Sequence, residues 1–303
     1  MPRPSCCCVK YGRRARASEE VRMARVVVGL DGSAQSLQTL EHAGRFARAF
    51  EHELVGVHVV DPVPEETISP EKGRLRVAQR AAKLERDLAG DLARFDGRMR
   101  TVYLRPGEKV APALVRAAAE EGAVLLALAT RSTGRWRRTL LGSVALEVLD
   151  HDHLPLMLTG PAIEPPLTKD GYRLLFLSDE AVGAAALARL LHAAMARAEA
   201  RVTVLHVNAE GEASHLDRIA FEHRVARIEG LLSPNDTVTG RLERVASPED
   251  VLARTIEVAA ETGAEAFALA TSSHRLKRRL WGGSTALSLL ARSRLPLIVV
   301  SRL

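Results

Sequence analysis

A repeated segment is the feature of this sequence that most constrains its fold. The run GAVLLALAT at Gly122–Thr130 recurs as GAEAFALAT at Gly263–Thr271, and the Gly-Ser pair that follows the first run also follows the second. Other identities keep the same order in both halves of the chain, including a His-Val pair that begins at His58 and again at His206. Because self-similarity at this scale is the signature of a duplicated unit, we predict two domains of one architecture.

The length and the composition between the copies agree with a duplication. A chain of 303 residues accommodates two domains at the usual size of about 150 residues each. A proline-rich stretch that contains Pro165 and Pro166 separates the two copies and is typical of a linker. The predicted organisation is a leader at 1–23, a first domain at 24–160, a linker at 161–170 and a second domain at 171–303.

Short apolar runs alternate with helical patterns along each copy. In the first copy, the predicted strands cover 26–30, 54–60, 101–104, 124–128 and 156–158. Amphipathic patterns between them predict helices over 37–50, 75–92, 113–121 and 144–149. This alternation predicts an α/β fold in which two repeated, doubly wound, five-stranded parallel sheets carry helices on both faces. Such sheets bind ligands at the carboxyl ends of their strands, where the strand order reverses.

The net charge of +6 is concentrated in a short basic leader. Residues 1–22 carry six basic side chains against two acidic ones, and they contain all three cysteines, Cys6, Cys7 and Cys8. We predict that this leader is disordered and that Met23 is the native start; a lipidated membrane anchor and a nucleic-acid-binding arm are the alternatives. The rest of the chain is nearly neutral and free of cysteine, which favours a cytoplasmic protein that binds neither nucleic acid nor membrane.

Signatures of catalysis are scarce in this sequence. It has no Gly-x4-Gly-Lys-Ser/Thr phosphate loop, no Gly-x-Gly-x2-Gly after the first predicted strand, no Gly-x-Ser-x-Gly nucleophile elbow and no His-Glu-x2-His zinc motif. His151 and His153 have metal-like spacing, but no further ligand is evident near them. We therefore predict a protein that is not an enzyme and that has no metal site of its own.

Several motifs, in the same order in both copies, resemble the universal stress protein family in its tandem, two-domain form. In the first copy they are VVGLDGS at 27–33, HVVDP at 58–62, Gly-Ser at 142–143 and Leu-Pro-Leu at 154–156. The resemblance covers nearly all of the chain after the leader. It implies a Rossmann-like domain of the adenine nucleotide alpha hydrolase type, and it implies that this domain pairs with a copy of itself, as an internal pseudo-dimer or as a homodimer.

The resemblance also implies an adenine nucleotide site. In nucleotide-binding members, the Asp after the first strand and the Val after the second-strand His contact adenine, and here these residues are Asp31 and Val59. A loop Gly-x2-Gly-x9-Gly-Ser/Thr holds ribose and phosphates in those members, but its first two glycines are Ala129 and Ser132 in this chain. The predicted nucleotide-binding set, with its counterparts in the second copy, is Asp31, Val59, Leu128, Ala129, Ser132, Gly142, Ser143, Val144, Asp179, Val207, Gly283 and Ser284.

Loss of the two loop glycines leaves two functions open. A Cβ at a left-handed backbone position costs roughly 1–2 kcal/mol, whereas a helix that begins at Ser143 still offers free N–H groups to a phosphate. Asp31 also fits an Asx turn, and Ser143 fits a simple helix cap. The first hypothesis is a non-enzymatic stress-response regulator or sensor that binds ATP or AMP, with magnesium only as part of the nucleotide complex. The alternative is a nucleotide-free module that binds an unknown protein partner.

Overall fold

Ten strands form a single sheet in the computed structural model, which describes residues 24–62, 70–130, 143–151, 154–166, 171–178, 199–209, 215–232, 236–271 and 285–301. The strands are β1 (Arg25–Gly29), β2 (Glu53–Val60), β3 (Arg98–Tyr103), β4 (Ala123–Ala129), β5 (Leu156–Thr159), β6 (Tyr172–Leu177), β7 (Ala200–Asn208), β8 (Thr237–Arg244), β9 (Ala266–Thr271) and β10 (Leu297–Ser301). Their order across the sheet is β3-β2-β1-β4-β5-β10-β9-β6-β7-β8.

The helices follow the strands as the sequence pattern predicts. Those in the described ranges are α1 (Ala34–Ala49), α2 (Pro70–Ala93), α3 (Val110–Glu121), α4 (Ser143–His151), α5 (His215–Glu229), α6 (Asp250–Thr262) and α7 (Thr285–Arg292). Helices α3 and α6 end at Gly122 and Gly263, whose φ angles are 64° and 63°. The first residue of the repeated segment is therefore a left-handed helix cap in both copies, a position that favours glycine.

The two halves have the same topology and join through their last strands. Strand pairs within each half are parallel, whereas β5 and β10 pair antiparallel, with Leu158 opposite Leu297. The prediction of two repeated five-stranded parallel sheets is confirmed. The antiparallel joint pairs the two halves within one chain, which is the internal pairing that the sequence left open.

Apolar side chains pack on both faces of the sheet. Successive residues of β1 alternate between the faces: Val26 and Val28 belong to the cluster under α1, α2 and α5, and Val27 belongs to the cluster under α3, α4, α6 and α7. Because both faces of these strands are covered, β4 is a continuous apolar run, and β1 and β10 are apolar except for Arg25 and Ser301 at their ends. This two-sided burial leaves the ends of the strands as the place for a functional site.

Helix α1 also contacts the second half of the chain. Arg45 donates to the Glu265 carboxylate through Nε at 2.9 Å and through Nη2 at 3.3 Å, and its guanidinium lies 5.6 Å from the centre of the Tyr172 ring. His42 donates through Nε2 to the carbonyl of Glu164 at 2.7 Å, inside the predicted linker. The chain that connects the halves is therefore held against α1 by polar contacts that lie far apart in sequence.

Gly160 of the first half lies against the backbone of α7 in the second half, and we expect its replacement by alanine to destabilise the protein. A Cβ built at this position would lie 1.6 Å from the carbonyl oxygen of Leu290 in α7, so backbone must move. Overpacking of this kind costs about 1–3 kcal/mol. Urea unfolding measures the change. Gly90→Ala is the control, because Gly90 is within α2 and has open space around it, so the variant should gain about 0.5–1 kcal/mol. Equal unfolding midpoints for Gly160→Ala and wild type would contradict the close approach.

Candidate functional site

The strand order reverses between β1 and β4 in the first half and between β6 and β9 in the second. In an open parallel sheet, the crevice at the carboxyl ends of such strands is the usual ligand site. Asp31 directly follows the end of β1, Val59 is near the end of β2, and Leu128 and Ala129 end β4. The topology thus brings these four predicted residues to one edge of the sheet.

Asp31 forms the turn that connects β1 to α1. Its Oδ1 accepts hydrogen bonds from the backbone N–H of Ser33 at 3.0 Å and from the Ser33 hydroxyl at 2.6 Å. Gly32 has a φ of 79°, and Ser33 in turn caps α1 by accepting from the N–H of Ser36 at 3.2 Å. The Asx turn predicted for Asp31 is confirmed. The turn holds an exposed carboxylate in one orientation at the switch point.

Val59, Leu128 and Val144 pack against one apolar cluster, the one under α3 and α4. Leu128 is only 5% exposed, and its Cδ2 lies 2.6 Å from the position that a Cβ on Gly29 would occupy. Val59 and Val144 are half-buried. The three side chains therefore form an apolar wall at the carboxyl edge of β1 and β4. Leu128 is the buried part of this wall, and Val59 and Val144 are its more accessible parts.

Ala129 does not carry the backbone strain that loss of a loop glycine suggests. It lies within β4, where it pairs with Thr159 of β5, and it is not among the described non-glycine residues with positive φ, which are Glu51 and Asp96. The cost of a Cβ at a left-handed position therefore does not apply at Ala129. For Ser132, the second of the lost glycines, the backbone lies outside the described residues.

A histidine of the second strand makes the same contact in both halves. The Nδ1–H of His58 donates to the carbonyl of Leu30 at 2.8 Å, and that of His206 donates to the carbonyl of Ser178 at 2.7 Å. Each bond ties the second strand of its half to the residue just after the first strand.

A buried chain of threonines lies at the carboxyl ends of β4 and β5, and the sequence reasoning did not assign it. Thr130 donates its hydroxyl to the carbonyl of Thr159 at 2.9 Å, and the Thr159 and Thr39 hydroxyls are hydrogen-bonded to each other. Thr39 donates onward to the carbonyl of Gln35 in α1. The only signal in the sequence was that Thr130 ends the repeated segment. The bonds fix the first residue after β4 to β5 and α1.

Some of the remaining predicted residues lie at the start of α4, one lies in the second half, and the others lie outside the described residues. Helix α4 begins at Ser143 and connects β4 to the parallel strand β5, so its N-terminus lies at the carboxyl edge of the sheet. In the second half, Val207 packs against the same cluster that Val59 does. Ser132, Gly142, Asp179, Gly283 and Ser284 lie outside the described residues, so the second-half site is a prediction for all but Val207.

The described ranges contain neither a candidate metal site nor a candidate membrane-spanning helix. No three His, Cys, Asp or Glu side chains there converge closely enough to hold a metal ion. Residues 152–153 of the His-Asp-His segment lie outside those ranges. No described helix combines the length and the apolar character that crossing a membrane requires.

Comparisons with known proteins agree on one family. The model of the universal stress protein family matches residues 23–159. A universal stress protein from Archaeoglobus fulgidus DSM 4304 is 18% identical, with a TM-score of 0.62 over 92% of this chain and 96% of that chain. A family member from Burkholderia pseudomallei is 28% identical, with a TM-score of 0.35 over 45% of this chain and 96% of that chain. A universal stress protein solved in complex with cAMP is 25% identical, with a TM-score of 0.33 over the same two shares. No curated protein matches. The Archaeoglobus structure supports the fold.

Proposed function

Because the chain belongs to the universal stress protein family, whose model matches its first half, we propose that this half binds an adenine nucleotide at the carboxyl edge of β1 and β4. In this proposal the protein is a cytoplasmic, non-enzymatic regulator of a stress response, and the bound nucleotide, ATP or AMP, shifts its conformation or its protein partners. Magnesium enters only with the nucleotide. The domain boundaries at 24–160 and 171–303 are part of the same proposal.

One observation carries the proposal: an exposed carboxylate stands beside an apolar wall at the switch point of the sheet. Adenine is a flat ring with an exocyclic amino group, which is a hydrogen-bond donor. A carboxylate is an acceptor, and Asp31 presents one that the turn to Ser33 has already oriented. The half-buried Val59 and Val144 supply apolar surface for the faces of the ring. This combination fits adenine better than it fits a sugar or an inorganic anion.

The phosphates would lie at the start of α4. The first N–H groups of a helix have no partner within the helix, and together with the helix dipole they favour an anion. Helix α4 begins at Ser143, at the same edge as Asp31. Ala129 replaces the first glycine of the family loop, and its backbone is ordinary strand backbone without positive φ. The replacement therefore adds no backbone strain before α4.

The test of this proposal is titration of the purified full chain with ATP and AMP by calorimetry. We expect saturable binding and a loss of about tenfold or more in Asp31→Ala, because a hydrogen bond to a charged group is worth about 1.5–3 kcal/mol. Asp87→Ala is the matched control, since Asp87 is an exposed carboxylate on α2 that pairs with Lys83. Its affinity should equal that of wild type.

Two results would count against the proposal. If wild type binds neither nucleotide at millimolar concentration, the nucleotide part is wrong and the nucleotide-free interaction module takes its place. If ATP is turned over and Asp31→Ala abolishes the turnover, binding is real but the protein is an enzyme. Release of ADP from ATP, measured beside the calorimetry, separates the second result from the first.

A further inference from the structure

An open groove of about 660 Å³ lies between α5 and β8 in the second half. From α5, residues spaced at helical intervals line one wall, among them Arg218, Phe221 and Val225; from β8, alternate residues line the other, Gly240, Leu242 and Arg244. The volume falls within the range of about 300–1,000 Å³ that is usual for ligand sites. The groove is separate from the switch point of that half, because β7 lies between β8 and β6.

The strand that forms one wall of the groove is the edge of the sheet. Within the described residues, β8 hydrogen-bonds to β7 and to no other strand. An edge strand presents a row of backbone N–H and C=O groups to which an extended segment can add as a further strand. The wall from Arg218 to Glu229 is about 16 Å long at 1.5 Å per helical residue, which matches about five residues of extended chain.

The basic side chains of the groove lie at one end, and no described residue forms an ion pair with a charged side chain that lines it. Since α5 connects the parallel strands β7 and β8, it runs opposite to them, so Arg218 near its start and Arg244 at the end of β8 lie at the same end. Glu229 lies at the other end, and Phe221, Leu242 and the exposed Glu222 lie between. Arg218, Arg244 and Glu229 form no ion pair within the described part of the chain.

The neighbouring arginine on β8 behaves differently. Arg241, which points away from this wall, pairs with Glu243 and with Glu261, and Arg254 of α6 joins the same network. Charged side chains on the other face of β8 are thus neutralised within the protein, while those of the groove are not. The groove has two arginines at one end and Glu222 and Glu229 along the rest of α5, beside the apolar Phe221, Val225 and Leu242, so it is complementary to a peptide with the reverse order of charges.

The first half shows that the groove is a departure from the repeat. His58 stands opposite Thr101 and His206 stands opposite Leu242, so Met99 in β3 is the counterpart of Gly240 in β8. Met99 is packed against the core, and its Sδ lies 3.1 Å from the position of a Cβ on Gly56. In addition, Thr101 donates to Glu85 of α2, which ties helix to strand there. In the second half the large side chain is absent and the counterpart of Thr101 is apolar.

We propose that this groove is a docking site for an extended peptide segment of a partner protein, which adds to β8 as a further strand. The segment is about five residues long, carries apolar side chains at its centre and places an acidic side chain or a C-terminal carboxylate against Arg218 and Arg244. Main-chain hydrogen bonds to the strand edge supply affinity, and the arginines set the direction of the peptide. The proposal does not depend on nucleotide binding.

The experiment uses random nonapeptides displayed on phage, panned against the immobilised full chain. We expect enriched peptides to carry alternating apolar residues and an acidic residue at one end. Synthetic forms of the enriched peptides are then titrated by fluorescence polarisation. Arg244→Glu should weaken their binding by about tenfold or more, because it replaces an attraction with a repulsion. Arg227→Glu makes the same change of charge on an exposed residue of α5 outside the groove and should leave the affinity unchanged.

A second variant tests whether the shape of the groove, and not only its charge, determines peptide binding. Gly240→Met restores the residue of the first half, and its Cβ would lie 2.8 Å from a methyl group of Val225, so the side chain fills the groove. We expect it to abolish peptide binding while circular dichroism shows wild-type helix content. Absence of enrichment over bare support would overturn the proposal. So would enriched peptides whose affinity is the same for wild type, Arg244→Glu and Gly240→Met.

Discussion

Glu265→Ala is expected to destabilise the protein by about 3–5 kcal/mol, since it removes one partner of a buried ion pair. The carboxylate is 1% exposed and the Arg45 side chain 13% exposed. Besides Arg45, the carboxylate accepts the backbone N–H of Arg173 at 3.2 Å, so this donor also loses its partner. Burial raises the pKa of the Glu265 carboxyl, and the Arg45 charge acts against that rise. Urea unfolding of the full chain measures the loss.

Two further variants distinguish the loss of stability caused by removing one buried charge from the stability that the ion pair itself contributes. Glu41 lies on α1, as Arg45 does, and its partly exposed carboxylate pairs with Arg94. Glu41→Ala should therefore lower the stability by less than about 1 kcal/mol. The double variant Arg45→Met/Glu265→Leu removes both buried charges, and we expect it to recover most of the stability, because the desolvation of both ions is no longer required. A double variant that is as unstable as Glu265→Ala would show that the ion pair itself stabilises the joint.

Acidification is expected to destabilise the protein through His42. Burial lowers the pKa of this histidine to about 4, although its hydrogen bond to the Glu164 carbonyl acts in the opposite direction. The folded pKa is below the unfolded value of about 6.5, so the unfolded chain binds the proton first. The stability that depends on neutral His42 is complete above pH 6.5 and is lost as the pH falls toward 4. The difference between the folded and the unfolded pKa of His42 corresponds to about 3 kcal/mol of folding stability.

The measurement is urea unfolding at pH 7 and pH 4.5 for wild type and His42→Gln. Glutamine keeps an N–H donor for the Glu164 carbonyl but does not titrate. The stability lost between the two pH values should be about 2.5 kcal/mol smaller in His42→Gln than in wild type. His223→Gln, at an exposed position of α5, should lose as much as wild type. Equal losses in wild type and His42→Gln would mean that this histidine is not the titrating group.

The pattern of apolar residues predicted the elements better than it predicted their ends. Helix α1 begins at Ala34, three residues before the predicted start, because the Ser33 cap adds a polar first turn that periodicity does not register. Strand β3 begins at Arg98 and not at Thr101, because an edge strand carries polar residues such as Arg98 and Arg100, here in ion pairs with Glu121. Local chemistry sets such boundaries, and it is weakly encoded in hydrophobicity.

Placement of the candidate site followed from topology and needed no contact to be known. Once strands and helices alternate, the chain order puts Asp31, Val59 and Ala129 at the same edge of the sheet. The threonine chain from Thr130 to Thr39 could not be predicted in this way. Its hydrogen bond between Thr39 and Thr159 joins residues that lie 120 positions apart in the sequence. In addition, threonine is common in strands for reasons unrelated to hydrogen bonding.

The repeat in the amino-acid sequence was enough to establish a duplicated α/β architecture, the edge at which a ligand can bind and the strands that meet there. Each of these depends on patterns that are local or that recur, and such patterns survive without knowledge of any long-range contact. The antiparallel joint of β5 with β10, the Arg45–Glu265 pair and the groove at β8 emerge only in the folded chain. They depend on which surfaces meet across the sheet, and the packing of distant side chains, not the periodicity of neighbouring ones, selects those surfaces.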